Sequence, residues 1–152
     1  MAGHVDQHVV VRAPLEVTWR LSNEHERWAA DRHRLFDASD DGRRIVFQVT
    51  TPPDRDGRTW TYSVDRCMYP DRHLVYSRRF DNPAFAYSVA WWIYSEVDEG
   101  TRVRCVQDFE VSAGAPVDDR QMEETIAAGT AAALGRMAER VESAVAGASD
   151  SR

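Results

Sequence analysis

Hydrophobic side chains recur along this chain with two periods: at every second position, which marks strands, and at every third or fourth, which marks helices. Residues 7–12 include Val9, Val10 and Val11 and read as a first strand. Ala13-Pro14 breaks it. Leu15, Thr18, Trp19 and Ser22 then repeat at helical spacing, which predicts a short helix over 14–23, and Asn23 is placed to cap a second over 24–28. Alternation follows from residue 34, clearest at Ile45, Phe47 and Val49. Strands are predicted over 35–39, 43–51, 58–69, 73–79, 85–97 and 101–111, separated by turns at Asp40-Asp41-Gly42, 52–57, Tyr69-Pro70-Asp71 and 97–101. With the first strand they make about seven strands in an antiparallel meander.

Gly114-Ala115-Pro116 ends this pattern, and Asp118 with Gln121 has the form of a capping box. The helix it opens is predicted over 118–146, about 40 Å long. Met122, Ile126, Ala133, Met137, Val141 and Val145 lie broadly on one face of it. Residues 147–152 are small and polar and are expected to fray. The expected fold class is α+β: a curved antiparallel sheet around one long C-terminal helix, with two short helices after the first strand. One domain over 1–146 and a flexible tail over 147–152 are expected.

Composition narrows the function classes. Hydrophobic residues are 43% and charged residues 29% of 152, which fits a folded globular domain rather than a disordered or fibrous chain. The net charge of −6 argues against general attraction to nucleic acid or anionic lipid. No apolar run is long enough for a membrane span and the first residues lack the apolar stretch of a secretion signal, so a cytoplasmic location is expected. Cys67 and Cys105 have opposite strand parity and are expected to be free thiols. The five histidines have no metal-ligand spacing, and no metal or cofactor is expected.

Strand parity also picks out candidate chemistry. If Trp60, Tyr62, Val64 and Met68 face inward, Arg66 must face inward with them. On the last strand Val103, Cys105, Gln107, Phe109 and Val111 share the helix-facing parity. A buried guanidinium keeps its charge and needs polar company. The middle of the long helix, Ala127-Ala128-Gly129-Thr130-Ala131-Ala132-Ala133, is small, whereas the strands opposite carry Trp60, Tyr62, Phe85, Tyr87, Trp91 and Trp92. Large side chains facing small ones either interlock as a solid core or leave a pocket, and the inward Arg66 and Gln107 favour the pocket. Arg66 has two readings, a structural ion-pair partner or a catalyst, and Arg78-Arg79 reads as an exposed strand end or as pocket lining.

Several segments in order carry a resemblance: Ala13-Pro14-Leu15-Glu16-Val17-Thr18-Trp19 with Ser22-Asn23 and Trp28; Pro53-Asp54 and Asp56-Gly57-Arg58 with Trp60; Phe85-Ala86-Tyr87 with Trp92 and Tyr94; and Gly100-Thr101 through Val106-Gln107-Asp108-Phe109 to Gly114-Ala115-Pro116 and Asp118. Together they resemble the monodomain polyketide aromatase/cyclases of bacterial type II pathways, within the START/Bet v1-like helix-grip superfamily. The resemblance implies a pocket between sheet and long helix for a poly-β-ketone chain carried by an acyl carrier protein. It implies a cofactor-independent, regiospecific aldol condensation, then dehydration and aromatisation. It assigns Arg66 as the catalytic arginine, with Tyr62 or a water relaying protons. Trp28, Trp60, Val64, Arg79, Phe85, Tyr87, Trp92, Cys105 and Gln107 are the expected pocket lining. The basic cluster Arg27, Arg32, His33 and Arg34 beside Trp28 is a candidate carrier-protein contact, or simply a solvated face. A monomer or weak dimer is expected.

Departures from the family pattern bear on specificity. Val64 stands where a small hydroxyl residue is usual, no tyrosine follows Trp28 closely, and Ala133 stands near the position of a helix asparagine. A later-ring cyclase and a binding protein without chemistry therefore stand as alternatives.

Overall fold

The computed structural model describes residues 2–24, 33–51, 53 and 55–150. Alternation of apolar and polar positions produces seven strands: β1 (Gly3–Val11), β2 (His33–Ala38), β3 (Arg44–Thr50), β4 (Thr61–Tyr69), β5 (Leu74–Phe80), β6 (Phe85–Val97) and β7 (Gly100–Val111). They form one antiparallel sheet in the order β1-β7-β6-β5-β4-β3-β2, a meander from β2 to β7 with β1 returning beside β7. A 3-10 turn, Pro70–Arg72, joins β4 to β5 and ends at His73, whose φ is +49. The strand predicted from residue 58 begins at Thr61: Thr51 N–H donates to the Trp60 carbonyl, but Trp60 N–H donates to the Thr51 hydroxyl instead of to a ladder carbonyl.

Helix α1 (Leu15–Asn23) starts directly after Pro14, whose fixed φ of −59 leads the chain into the first turn. It buries Thr18, Trp19, Leu21 and Ser22. The Trp19 indole meets Tyr94 and His73 edge to face, with ring centroids 5.0 and 5.5 Å apart, and so ties α1 to β6 and the start of β5. The second short helix predicted over 24–28 lies largely outside the described residues.

The long helix α2 (Asp119–Asp150) opens on the predicted capping box: Gln121 N–H donates to Asp118 Oδ1 at 2.8 Å, and Asp118 N–H donates to Gln121 Oε1 at 2.9 Å. The helix runs through Gly147 to Asp150 instead of fraying at 147, since a single glycine lowers helix propensity without breaking the backbone hydrogen-bond ladder. Its buried face comprises Met122, Ile126, Thr130, Leu134, Met137, Ala138 and Val141. Leu134 holds the position expected of Ala133, one residue along. α2 lies chiefly against β1, with smaller contacts to β7 and α1, and so closes one side of the curved sheet. Among the described residues no helix is long and apolar enough to cross a membrane.

The core falls into clusters along this inner face. Val11, Val75, Val103 and Val141 centre the one beneath α1. Phe109, Val5, Met122 and Ile126 make a second at the start of α2, and Ile45, Phe47 and Val64 a third on the far strands. At the β6–β7 turn, Gly100 has a φ of +142, and a Cβ there would stand 2.2 Å from the Val11 carbonyl oxygen and 2.9 Å from Ala13 N. Both obstacles are backbone atoms that cannot swing aside. Gly100→Ala is expected to lower unfolding free energy by more than about 2 kcal/mol in urea denaturation, with the sheet register unchanged.

Candidate functional site

The site grows from the pleat of β4. Tyr62, Val64, Arg66 and Met68 point to the inner face, and Asp65 to the outer, where it forms a two-toothed ion pair with Arg44 at 2.9 Å. Antiparallel pairing aligns Arg66 with Ser77 on β5, Ser77 with Ala90 on β6, Ala90 with Gln107 on β7 and Gln107 with Val5 on β1. This row across the sheet has small residues in the middle and polar ones at each flank. Ser88 is the next inward residue on β6 and is also small, so a trough of small, buried side chains separates the Arg66 side from the Gln107 side.

Arg66 is 9% exposed. One terminal nitrogen donates to the side-chain carbonyl of Asn23, the last residue of α1, and the other to Met68 Sδ at 3.5 Å. Both acceptors are uncharged. Burial lowers the arginine pKa from its ordinary value, yet guanidinium is so strong a base that it stays protonated at neutral pH. The result is a desolvated cation, which attracts developing negative charge more strongly than a hydrated one.

Tyr94, two residues beyond Trp92 and on the same face of β6, completes this end of the site. It is 5% exposed, hydrogen-bonds Ser22 Oγ at 2.8 Å and also engages Asn23. Burial raises its pKa, opposed by the Ser22 bond and by the nearby Arg66 charge, so at neutral pH it is a phenol with a proton to give. Asn23 and Met68 also line a cleft of about 530 Å³ between α1, the β2–β3 turn and the end of β4, together with Trp19, Val17 and Pro70.

A second polar chain crosses the trough. Arg79 on β5 donates to Gln107 Oε1 at 3.1 Å, spanning β6 above Ser88 and Ala90, and Gln107 Nε2 donates to Thr130 of α2 at 2.6 Å. The Arg79 guanidinium lies 5.0 Å from the centre of the Tyr62 ring. Arg79 therefore faces inward, while Arg78 is exposed on the outer face over Phe80. Tyr62 lies with Arg79 and stands four residues along the strand from Arg66, a separation of about 13 Å. The phenol near Arg66 is that of Tyr94.

Most other sequence candidates share the inner face. Val64 is buried against Ile45 and Phe47. Trp60 and Phe85 are half-buried against the Phe109 cluster, and Trp92 against the Val75 cluster. Cys105 is fully buried and its thiol is pushed up to about 12 by that burial. Tyr87 departs: it is 42% exposed on the outer face, because a bulge between Phe85 and Tyr87 shifts the register against β7 and reverses the parity expected from Phe85. It borders a smaller pocket of about 210 Å³ at the β5–β6 turn, which Arg79, Asn82 and Phe85 also line.

Trp28, Arg27 and Arg32 lie outside the described residues. His33 opens β2, and Arg34 is exposed with its guanidinium 5.4 Å from the Phe36 ring centre. Among the described residues no group of three or more His, Cys, Asp and Glu is arranged to hold a metal ion. Sequence reasoning missed Asn23, Tyr94 and Thr130 as site residues. Parity with Trp92 marks Tyr94, but nothing local marks Asn23, which reads as a helix-capping residue.

A curved antiparallel sheet gripping one long C-terminal helix is a START/Bet v1-type fold. Comparison narrows it further: the chain belongs to the polyketide cyclase/dehydrase and lipid transport family, whose model matches residues 2–142. It is 30% identical over 149 residues to a Streptomyces cyaneus protein assigned by name as a polyketide cyclase, covering 93% of this chain and 95% of that one. In fold it is similar to the Zhui aromatase/cyclase from Streptomyces sp. R1128, with a TM-score of 0.78 at 17% identity over 95% of this chain and 96% of that one. It is also similar to a START superfamily protein from Mycobacterium smegmatis, with a TM-score of 0.71 at 16% identity over 92% of this chain and 97% of that one.

The two thiols give a direct check on which way β4 and β7 face. At about pH 8 a thiol reagent is expected to label the half-buried Cys67 and to leave Cys105 unreacted until the protein unfolds. Equal labelling rates in the native protein would contradict this assignment of faces.

Proposed function

We propose that this protein is a polyketide aromatase/cyclase: it folds a carrier-bound poly-β-ketone so that one methylene meets one carbonyl, and it then assists loss of water from the new ring. Family membership supports the substrate class. The single observation that carries the reading is Arg66, a buried cation on the inner face that reaches the Asn23 amide oxygen and the Met68 sulfur.

The substrate supplies most of the reactivity, because a methylene between two ketones loses a proton readily and the ketones are electrophiles. Loss of that proton gives an enolate, whose carbon attacks a second carbonyl. A C–C bond forms as the carbonyl π bond opens to an alkoxide. Arg66 donates to this oxygen and stabilises its charge in a site with little water. The alkoxide takes back the proton lost on enolisation; the C–O bond then breaks and hydroxide leaves, combining with the proton released from the adjacent C–H to give water, while the electrons of that C–H bond form C=C. The Tyr94 phenol, bonded to Ser22 and close enough to feel the Arg66 charge, serves the proton transfers in place of Tyr62. Arg79, Gln107 and Thr130 hold the far end of the trough, where they present polar groups to the remaining ketones. Trp60, Val64, Phe85 and Trp92 limit how the chain bends, and productive geometry is the largest contribution such a site makes.

A carrier protein would deliver the substrate, with exposed Arg34 on the acidic partner's side of the encounter. Val64 favours a second reading, a binding protein for an aromatic polyketide, because its buried side chain offers no hydroxyl beside the trough.

Reconstitution with a minimal polyketide synthase separates the two. Wild type is expected to redirect the products to one cyclised aromatic compound, and Arg66→Ala to return them to the spontaneous shunt mixture. Identical mixtures from the two proteins would refute the cyclase reading, and tight binding of an aromatic polyketide without turnover would support the binder. Tyr94→Phe is expected to reduce turnover about tenfold or more while leaving substrate affinity nearly unchanged, read as kcat against KM.

A further inference from the structure

Asn23 does more than end a helix. Its amide nitrogen donates to the Trp19 carbonyl at 2.8 Å, which satisfies one of the carbonyls left open at the end of α1, and the same side chain engages Tyr94. With the nitrogen side anchored, the amide oxygen has one direction left to face, and it meets the Arg66 guanidinium. Asn23 and Met68, both acceptors of Arg66, are also walls of the 530 Å³ cleft. Arg66, bonded to both, is not among the described residues of that wall.

We propose that the Asn23 carbonyl is a placeholder acceptor, occupying the donor position on Arg66 that a ketone oxygen of the substrate takes over on arrival through the cleft. The inference rests on the cyclase reading for the identity of that ketone. An amide oxygen and a ketone oxygen are acceptors of the same neutral class, so one replaces the other at little cost. A carboxylate would not yield in this way, since charge-assisted hydrogen bonds are about twice as strong as neutral ones. The exchange also favours reaction: an enolate or alkoxide oxygen is a better acceptor than the amide it displaces, so Arg66 transfers most completely when charge develops. Until then Asn23 keeps the guanidinium aimed and its donor hydrogens satisfied. Asn23 is thus a positioning residue, acting on substrate through Arg66.

Two substitutions isolate this role. Asn23→Ala and Asn23→Asp both remove the amide donor to the Trp19 carbonyl, so they share whatever damage follows at the end of α1, which thermal denaturation reports. They differ in what stands at the Asn23 position facing Arg66: a methyl group in the first, a carboxylate in the second. The probe is a dihydroxyanthraquinone, a planar aromatic ketone, titrated into the full chain with quenching of tryptophan fluorescence as readout. Asn23→Ala is expected to bind it as wild type does or somewhat more tightly, and Asn23→Asp at least about tenfold more weakly than Asn23→Ala. Equal affinities in the two variants would reduce Asn23 to a helix-end residue and overturn the proposal. So would tighter binding by Asn23→Asp, or a failure of wild type to bind the probe, since no carbonyl would then be competing for Arg66. The reconstitution above stays separate: if Arg66→Ala leaves the product mixture unchanged, the cyclase reading falls, while the order of affinities still decides whether Asn23 yields its place.

Discussion

A guanidinium taken out of water must find acceptors, and the inner face of this protein is arranged around that requirement. Arg66 cannot shed its proton as a buried lysine or histidine can, so its charge persists wherever the strand pleat carries it. Helix α1 answers by ending where the Asn23 amide reaches the cation. The rest of α1 is fixed by the same geometry, through Trp19 wedged on Tyr94 and His73 and through Ser22 bonded to Tyr94. An element of nine residues thus serves at once as a lid on the Val11, Val75 and Val103 core and as the source of the groups around Arg66.

The second constraint is the size of the side chains between Arg66 and Gln107. Ser77, Ala90 and Ser88 are small on the most central strands, where bulky residues would give the densest core. Their size lets Arg79 reach across β6 to Gln107, and lets Gln107 in turn reach Thr130 on α2. Apolar clusters stand on both sides of this polar trough and supply stability. Separating the packed regions from the polar one lets the sheet bury hydrogen-bonded polar side chains without weakening the fold around them.

Much of this was legible in the chain. Period-two alternation gave the strands to within a few residues, and it put Arg66, Cys105 and Gln107 on one face before any contact was known. The Asp118 and Gln121 pair marked the start of α2 because a capping box is a local device, complete within four residues. The readings that changed all depended on a local irregularity or on a distant partner. The bulge after Phe85 turned Tyr87 outward, and parity counted along a perfect strand cannot register an extra residue. Gly147 did not stop α2. Of the two readings open for Arg79, the inward one agrees with the structure, because the β5 pleat continues through it to Phe80.

By itself, then, the sequence determined whatever short-range sterics control: where the backbone alternates, where helices can begin, and that a permanent positive charge would lie inside. Only the tertiary structure decided what that charge meets. Asn23 lies 43 positions from Arg66, Tyr94 lies two strands further on, in β6, and Thr130 is on the C-terminal helix. Such partners are selected by how the sheet curves and where α1 and α2 come to rest on it. That placement depends on the sum of many weak packing contacts, and no local pattern of residues records it.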